Sequence, residues 1–133
     1  MKFENNWRFK NLDSLEKTNW PFDDTTNLIK RVTTLRKVPL NEFTTEDLRL
    51  MIGQDVGLDY LIPLALERLE EYAFVEGDFY EGDLLVGVSR VAEDFWKRNA
   101  DLRRRLDDVV KNNIEEIKAR GLEDDLFKRR RLW

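Results

Sequence analysis

The chain has 133 residues, of which 41% are hydrophobic and 38% are charged, and its net charge is −4. This length predicts one domain with a sizeable core, and the 8 Phe, 4 Trp and 3 Tyr residues argue against disorder. His and Cys are absent, which excludes disulfides, thiol or histidine nucleophiles and histidine-containing zinc sites.

The first twenty residues, 1–20, are interpreted as an N-terminal arm that covers one edge of the core. A short helix over residues 12–18, carrying Leu12 and Leu15, is the alternative. The segment has no apolar region typical of a signal peptide, and no stretch of the chain is apolar enough for a membrane span. We therefore expect a cytoplasmic protein.

A second helix is predicted after this arm. Three residues are suitable caps for it: Asp23, Asp24 and Thr25. Its apolar stripe has helical spacing and comprises Leu28, Ile29, Val32 and Leu35. Pro39 ends the helix near Lys37, and the charges of Arg36 and Lys37 suit a helix C-terminus.

The stretch from residue 43 to residue 69 predicts a central helical hairpin. Thr44 and Asp47 have the spacing of a capping box, with Asp in place of the usual Glu or Gln. Phe43 and Leu48 are placed to form a hydrophobic staple around the same helix start. An apolar stripe with helical spacing follows in the second half: Leu58, Leu61, Ile62, Ala65, Leu66 and Leu69.

Gly57 and Pro63 determine how the two helices of this hairpin are joined. Gly57 offers a left-handed end to the first helix. Pro63 would remove a hydrogen bond inside a helix, so we expect a tight turn or a distorted first turn over residues 58–62. Regular helix is predicted from about Ile62.

The remainder of the chain also predicts helices. Asp83 can cap the helix that follows the glycine-containing segment, and Asn99 can cap a last, long helix over residues 99–120. Residues 122–133 are expected to form a frayed basic tail. The predicted fold is all-α, a compact single-domain bundle of five to six helices with a central helical hairpin and a long C-terminal helix.

Charge is unevenly distributed along the chain. Residues 41–83 contain twelve acidic residues and two basic ones, whereas both flanks are mildly basic. Such a block repels nucleic acid and anionic membranes, and it attracts basic proteins.

Within it, two glycine-containing acidic tripeptides surround an aromatic pair, which gives the candidate contact residues Glu76, Asp78, Phe79, Tyr80, Glu81 and Asp83. A solvated loop, a carboxylate pair for acid–base chemistry and a hard-metal site are the alternatives.

A basic patch near the C-terminal end of the chain allows another function. Arg103–Arg105, together with Lys97 and Arg98, could bind phosphate groups. Neighbouring acidic residues have the spacing to pair with these arginines on one helix face: Asp101, Asp107 and Asp108. We favour a salt-bridged face, and a helical adaptor or nucleic-acid-binding regulator that uses Arg103–Arg105 and the C-terminal tail remains the alternative function.

Three segments carry a resemblance to a known family. They are WRFKNLDSLE, LRKVPLNEFTTEDLRLMIGQDVGLDYLIPLALERL and FVEGDFYEGDLL, which cover Trp7–Glu16, Leu35–Leu69 and Phe74–Leu85. In these segments the chain resembles the immunity proteins of bacterial contact-dependent growth inhibition (CDI) systems. The last fifty residues match that pattern loosely.

The resemblance implies a small inhibitor in the bacterial cytoplasm. It would bind one cognate toxin C-terminal domain, commonly a basic nuclease, and block its active site. No catalytic residue, cofactor or metal is expected, and no membrane or nucleic-acid partner. Exposure and charge suggest the six candidate contact residues named above as the toxin-binding site: Glu76, Asp78, Phe79, Tyr80, Glu81 and Asp83. Two further acidic residues, Asp55 and Asp59, form a second set.

Overall fold

The computed structural model describes the backbone of residues 3–130 and the side chains of residues 3–126. This part of the chain contains nine α-helices and no β-strand beyond one isolated bridge. The helices are α1 (Leu12–Glu16), α2 (Asn27–Leu35), α3 (Thr45–Gly53), α4 (Leu58–Glu71), α5 (Asp83–Ser89), α6 (Glu93–Arg98), α7 (Ala100–Asn112), α8 (Ile114–Ala119) and α9 (Glu123–Arg130). Two 3₁₀ turns, Trp7–Phe9 and Leu40–Glu42, precede α1 and α3. The predicted all-α class is confirmed, although the helices are shorter and more numerous than expected.

The central hairpin is formed by α3 and α4, as the sequence predicts. The Thr44 hydroxyl accepts a hydrogen bond from the Asp47 N–H (3.1 Å), and the Asp47 carboxylate accepts one from the Thr44 N–H (3.0 Å). This reciprocal pair is the predicted capping box. Phe43 and Leu48, the predicted staple, are both buried. The two helices pack against each other, and both also contact α5, so the hairpin lies at the centre of the core.

The turn between α3 and α4 differs from the prediction in the role of its glycine. α3 ends at Gly53, and Gly57 is the N-cap of α4 rather than the end of α3. Its φ is +67°, in the left-handed region that glycine tolerates best. A Cβ on Gly57 would lie 2.7 Å from Leu12 Cδ1, so glycine also allows α1 to pack closely on the turn.

Pro63 does not prevent helix formation before it. Of the two arrangements expected over residues 58–62, the tight turn is wrong, because α4 begins at Leu58 and continues through Pro63. Proline removes one backbone donor, whose partner in a helix would be the carbonyl four residues earlier. Leu61 and Ile62 are fully buried in this first part of α4, and their burial offsets that loss.

The N-terminal residues enter the core more deeply than an arm would. α1 buries Leu12 and Leu15, so the alternative of a short helix is confirmed for this segment. Before α1, the Phe3 ring contacts Trp7 and Tyr60, with ring centroids 4.7 and 4.8 Å away. Aromatic contacts therefore attach the N-terminal segment to α4.

A buried charge cluster joins α1 to the end of α2. Asp13 is 5% exposed and accepts hydrogen bonds from Arg36 Nε (2.7 Å) and from Lys37 Nζ. Arg36 is 1% exposed, pairs with Glu16 (2.6 Å) and donates to Thr18 Oγ1 (2.8 Å). Burial acts to raise the pKa of Asp13, but the hydrogen bonds from Lys37 and Arg36 outweigh it and hold that pKa below its ordinary value. The two basic residues thus bind a buried carboxylate in addition to lying at a helix C-terminus.

The predicted long helix over residues 99–120 is wrong, because the chain breaks at Asn113 into α7 and α8. The Asn113 side chain donates a hydrogen bond to the Val109 carbonyl (2.8 Å), the group that its own backbone N–H would bind in a continuous helix. Asn99 donates in the same way to the Phe95 carbonyl (2.8 Å) and separates α6 from α7. It occupies the predicted N-cap position, but its side chain accepts no hydrogen bond from α7.

The frayed tail predicted over residues 122–133 is wrong for its first half. α9 covers most of this segment and packs against α5. Leu126 is fully buried and Leu122 is 7% exposed, because residues four apart share one face of a helix. Residues 131–133, which end the predicted basic tail, lie outside the described residues.

The buried apolar side chains, from Leu12 to Leu126, form one hydrophobic core cluster. Each of the nine helices described above contributes at least one buried apolar side chain to this core. Within residues 3–130, each helix is too short or too polar to cross a membrane.

Candidate functional site

The loop between α4 and α5 holds most of the residues predicted to bind a partner. We name residues 73–82 the acidic loop. Its exposed side chains are those of Glu76, Asp78, Phe79, Tyr80 and Glu81. Phe79 is 66% exposed and Tyr80 is 42% exposed. Exposed aromatic side chains flanked by carboxylates have the composition of a protein-binding surface.

Two buried carboxylates fix the backbone of the acidic loop from inside. The Asp83 carboxylate, 4% exposed, accepts hydrogen bonds from the N–H groups of Gly77 (2.7 Å) and Phe79 (3.1 Å). Glu46 of α3 is also buried and accepts one from the Asp78 N–H (2.9 Å). The shape of the loop is therefore set by internal hydrogen bonds, in which the side chains of Glu76 and Asp78 take no part.

The position of Asp83 differs from the prediction. Gly82, with φ +98°, is the N-cap of α5, and Asp83 is the first residue of the helix. The Asp83 side chain turns back to bind the loop backbone instead of capping α5. It is the one predicted contact residue of this segment that lies buried, so we omit it from the proposed contact surface.

Gly77 allows the loop backbone to approach both buried carboxylates. A Cβ at this position would lie 2.6 Å from Glu46 Oε1 and 3.0 Å from Asp83 Oδ2. Both oxygens belong to hydrogen-bonded groups, so neither can move away without breaking the bonds that hold the loop. Glycine is thus needed at position 77 because the backbone lies close to two carboxylates, and at position 82 because the backbone is left-handed.

Arg49 belongs to the site and was missed by the sequence analysis. Its guanidinium forms a two-point ion pair with Glu46 and lies over the Phe79 ring, with Cζ 4.4 Å from the ring centroid. The hydrogen bond from Arg49 lowers the pKa of Glu46 in spite of its burial, and the same bond raises the pKa of Arg49. The sequence did contain one signal for Arg49. It lies three residues after Glu46, and it is one of the two basic residues in the acidic block 41–83.

Glu81 and Tyr80 make contacts with other parts of the chain. Glu81 pairs with Arg120, which also pairs with Glu116 (2.8 Å) and so ties the acidic loop to α8. Burial raises the pKa of Tyr80, and the negative charge of Asp125 in α9 acts in the same direction. The Tyr80 hydroxyl therefore stays protonated at neutral pH and can donate a hydrogen bond.

The remaining predicted residues fall into two groups. Glu76 and Asp78 are exposed, and neither forms an ion pair with any residue that the structure describes. Asp55, with φ +58°, lies in the turn between α3 and α4 and lines a groove beside the acidic loop. Asp59 lines a different cleft, bordered by Phe3, Pro63 and the start of α7. Across residues 3–126, no three acidic side chains come together in a way that could hold a metal ion.

The arginines of the basic patch lie on a salt-bridged face. Each pairs with a carboxylate: Arg103 with Asp107 (3.8 Å), Arg104 with Asp101 (3.3 Å) and Arg105 with Glu70 (2.7 Å). The first pair confirms the predicted pairing of residues four apart, and the second joins residues three apart on the same helix. Asp108 forms no ion pair with the described residues. Arg105 instead reaches α4, where its hydrogen bond lowers the pKa of Glu70.

The stability of the fold is expected to fall in acid because Asp13 and Glu46 must then take up protons. Both carboxyl groups have a folded-state pKa below the ordinary value of about 4. Their contribution to the free energy of unfolding is therefore complete above that ordinary value, and it is lost as the pH falls through the folded-state pKa. Urea unfolding at a series of pH values measures this loss. A double variant, Asp13→Asn with Glu46→Gln, should have a weaker pH dependence, and an unchanged dependence would contradict the assignment.

The fold and the acidic loop define a small all-helical protein with an exposed acidic and aromatic surface. The family model of the CDI immunity proteins matches residues 14–106, which include the central hairpin and the acidic loop. The match covers more than half of the chain, and the chain therefore belongs to the CDI immunity proteins. Proteins of this family neutralise the toxin of a contact-dependent growth inhibition system. Comparisons with curated proteins and with solved structures found no match.

Proposed function

We propose that this protein neutralises a nuclease toxin domain by placing the acidic loop on the basic, phosphate-binding surface of that domain and covering its active site. The observation that carries the proposal is the exposure of Phe79 on a loop with a fixed backbone. A loop held by internal hydrogen bonds loses little conformational entropy when it binds. An aromatic side chain held outward on such a loop is typical of an interface anchor.

The charges beside Phe79 favour a basic partner. Glu76 and Asp78 are exposed and form no ion pair in the described part of the chain. Complementary charge raises the association rate and favours one docking orientation. A nuclease binds phosphate groups through basic side chains, so an acidic surface would compete directly with the nucleic-acid substrate.

In this proposal one molecule binds one toxin domain in the bacterial cytoplasm, and binding alone blocks the toxin. The inhibitor needs no chemistry and no cofactor of its own. The alternative function, a regulator that binds nucleic acid, has less support because Arg103–Arg105 all pair with carboxylates.

The test uses the cognate toxin domain, in an inactivated form for binding and in its active form for survival on co-expression. Phe79→Ala is expected to weaken binding by about 10- to 100-fold, the usual effect of removing an aromatic anchor. Phe9→Ala is the matched control, because Phe9 is 65% exposed but lies in the N-terminal 3₁₀ turn. Equal binding by the two variants would contradict the proposal.

A second arm of the same test addresses charge. Asp78→Lys is expected to lower the association rate at low salt by roughly tenfold, with a smaller effect at high salt because ions screen exposed charges. Asp101→Lys makes the same change in net charge on α7. If both variants slow association equally, the effect belongs to net charge and the acidic loop is not the contact site.

A further inference from the structure

A groove of about 360 Å³ lies beside the acidic loop, between the end of α3 and the end of α5. We name it the α3–α5 groove, and its lining includes Arg49, Gly53, Asp55, Gly87 and Arg90 together with three apolar residues. Arg49 also lies over the ring of Phe79. Arg49 therefore connects the α3–α5 groove to the acidic loop.

Two glycines line this groove, and internal packing does not explain them. A Cβ on Gly53 would meet nothing within 4 Å, and one on Gly87 would meet Arg49 Cγ at an ordinary 3.7 Å. Neither glycine has a left-handed backbone. Glycine weakens a helix relative to alanine, so these positions would be more stable with a side chain. A missing side chain does allow another molecule to approach the backbone closely.

The charges in the α3–α5 groove favour a cation. Both of its guanidinium groups already have carboxylate partners, since Arg49 pairs with Glu46 and Arg90 pairs with Asp125 (3.3 Å). The Asp55 carboxylate is exposed and forms no ion pair with the described residues. It follows the C-terminal end of α3, where the helix dipole adds negative potential. One negative charge in the groove is thus left without a partner.

We propose that the α3–α5 groove receives a lysine or arginine side chain of the toxin domain. Its aliphatic stem would cover the backbone at Gly53 and Gly87, and its charged end would reach Asp55. Long basic side chains have this combination of an apolar stem and a charged end. The inference rests on the proposed function, because it assigns the groove to the same basic partner as the acidic loop.

Two substitutions test the groove with the same inactivated toxin domain. Gly53→Leu adds a bulky side chain to the groove lining, at a position where a Cβ would meet no atom within 4 Å. Asp55→Asn removes the charge and keeps a residue that tolerates the left-handed backbone at this position. Each is expected to weaken binding roughly tenfold or more, and the affinity of Asp55→Asn should depend less on salt. Thermal unfolding is expected to show a midpoint for both variants no lower than that of the parent protein. Ala119→Leu adds similar bulk at an exposed position of α8 and is expected to bind normally.

Comparison with Phe79→Ala separates the two proposals. If both Gly53→Leu and Asp55→Asn bind normally while Phe79→Ala binds weakly, the groove assignment is overturned and the proposed function stands. If none of the three changes binding, both fail. If Gly53→Leu binds weakly and Asp55→Asn binds normally, the toxin contacts the groove but the occupant is not a basic side chain, and the proposal is overturned. Weak binding by both groove variants, with normal binding by Ala119→Leu, supports the assignment.

Discussion

Replacement of Arg36 by alanine is expected to lower the free energy of unfolding by about 3–5 kcal/mol, the usual effect of removing one partner of a buried ion pair. Arg36 is 1% exposed and binds the carboxylates of Asp13 and Glu16. Without it, the buried Asp13 would retain Lys37 as a basic partner but would lose its hydrogen bond from Nε. Urea unfolding followed by circular dichroism at neutral pH measures the change.

Two further variants test whether the loss of stability arises because the ion pair of Arg36 is buried. Arg31→Ala removes an exposed pair with Asp47 (3.3 Å), and its expected effect is under about 1 kcal/mol. Asp13→Asn in the Arg36→Ala background removes the buried charge left behind and should recover part of the loss. Equal effects of Arg36→Ala and Arg31→Ala would show that the cluster of Asp13 does not behave as a buried ion pair.

Replacement of Leu126 by alanine is expected to destabilise the protein by about 2–5 kcal/mol, the range for leucine truncation in a core. Its side chain is fully buried in α9, which packs against α5. The same change in a frayed tail would have almost no effect on stability. The experiment therefore distinguishes a packed α9 from the frayed tail that the sequence predicted. Leu28→Ala is the control, because Leu28 is 40% exposed and its truncation should cost much less. Unfolding midpoints in urea compare the two.

Local signals in the sequence were sufficient for the central hairpin. The capping box of Thr44 and Asp47 involves residues three positions apart, and both of its hydrogen bonds form as predicted. The role of Asn113 was harder to predict, because an asparagine can cap a helix, lie within it or bind a carbonyl of the preceding turn. Its hydrogen bond to Val109 selects the third possibility, and the pattern of apolar residues does not encode that choice.

The candidate site was predictable in composition but not in the role of each carboxylate. Asp78 and Asp83 occupy equivalent positions in two similar tripeptides, yet one is exposed and the other is buried. The Asp83 carboxylate turns inward to bind the N–H groups of Gly77 and Phe79, whereas the Asp78 backbone is held by a tertiary contact with Glu46, 32 positions away. Arg49 was missed for the same reason, because its contact with Phe79 joins α3 to the acidic loop.

The hydrogen bonds inside the acidic loop have a consequence for how inhibitors of this type can diversify. Gly77, Glu46 and Asp83 maintain the loop, while the side chains of Glu76 and Asp78 take no part in its hydrogen bonds. Mutations at the outward positions therefore carry little risk of misfolding. On the contact surface we propose, a lineage under pressure from a changing toxin can accumulate such mutations one at a time and alter its specificity while the scaffold is inherited intact.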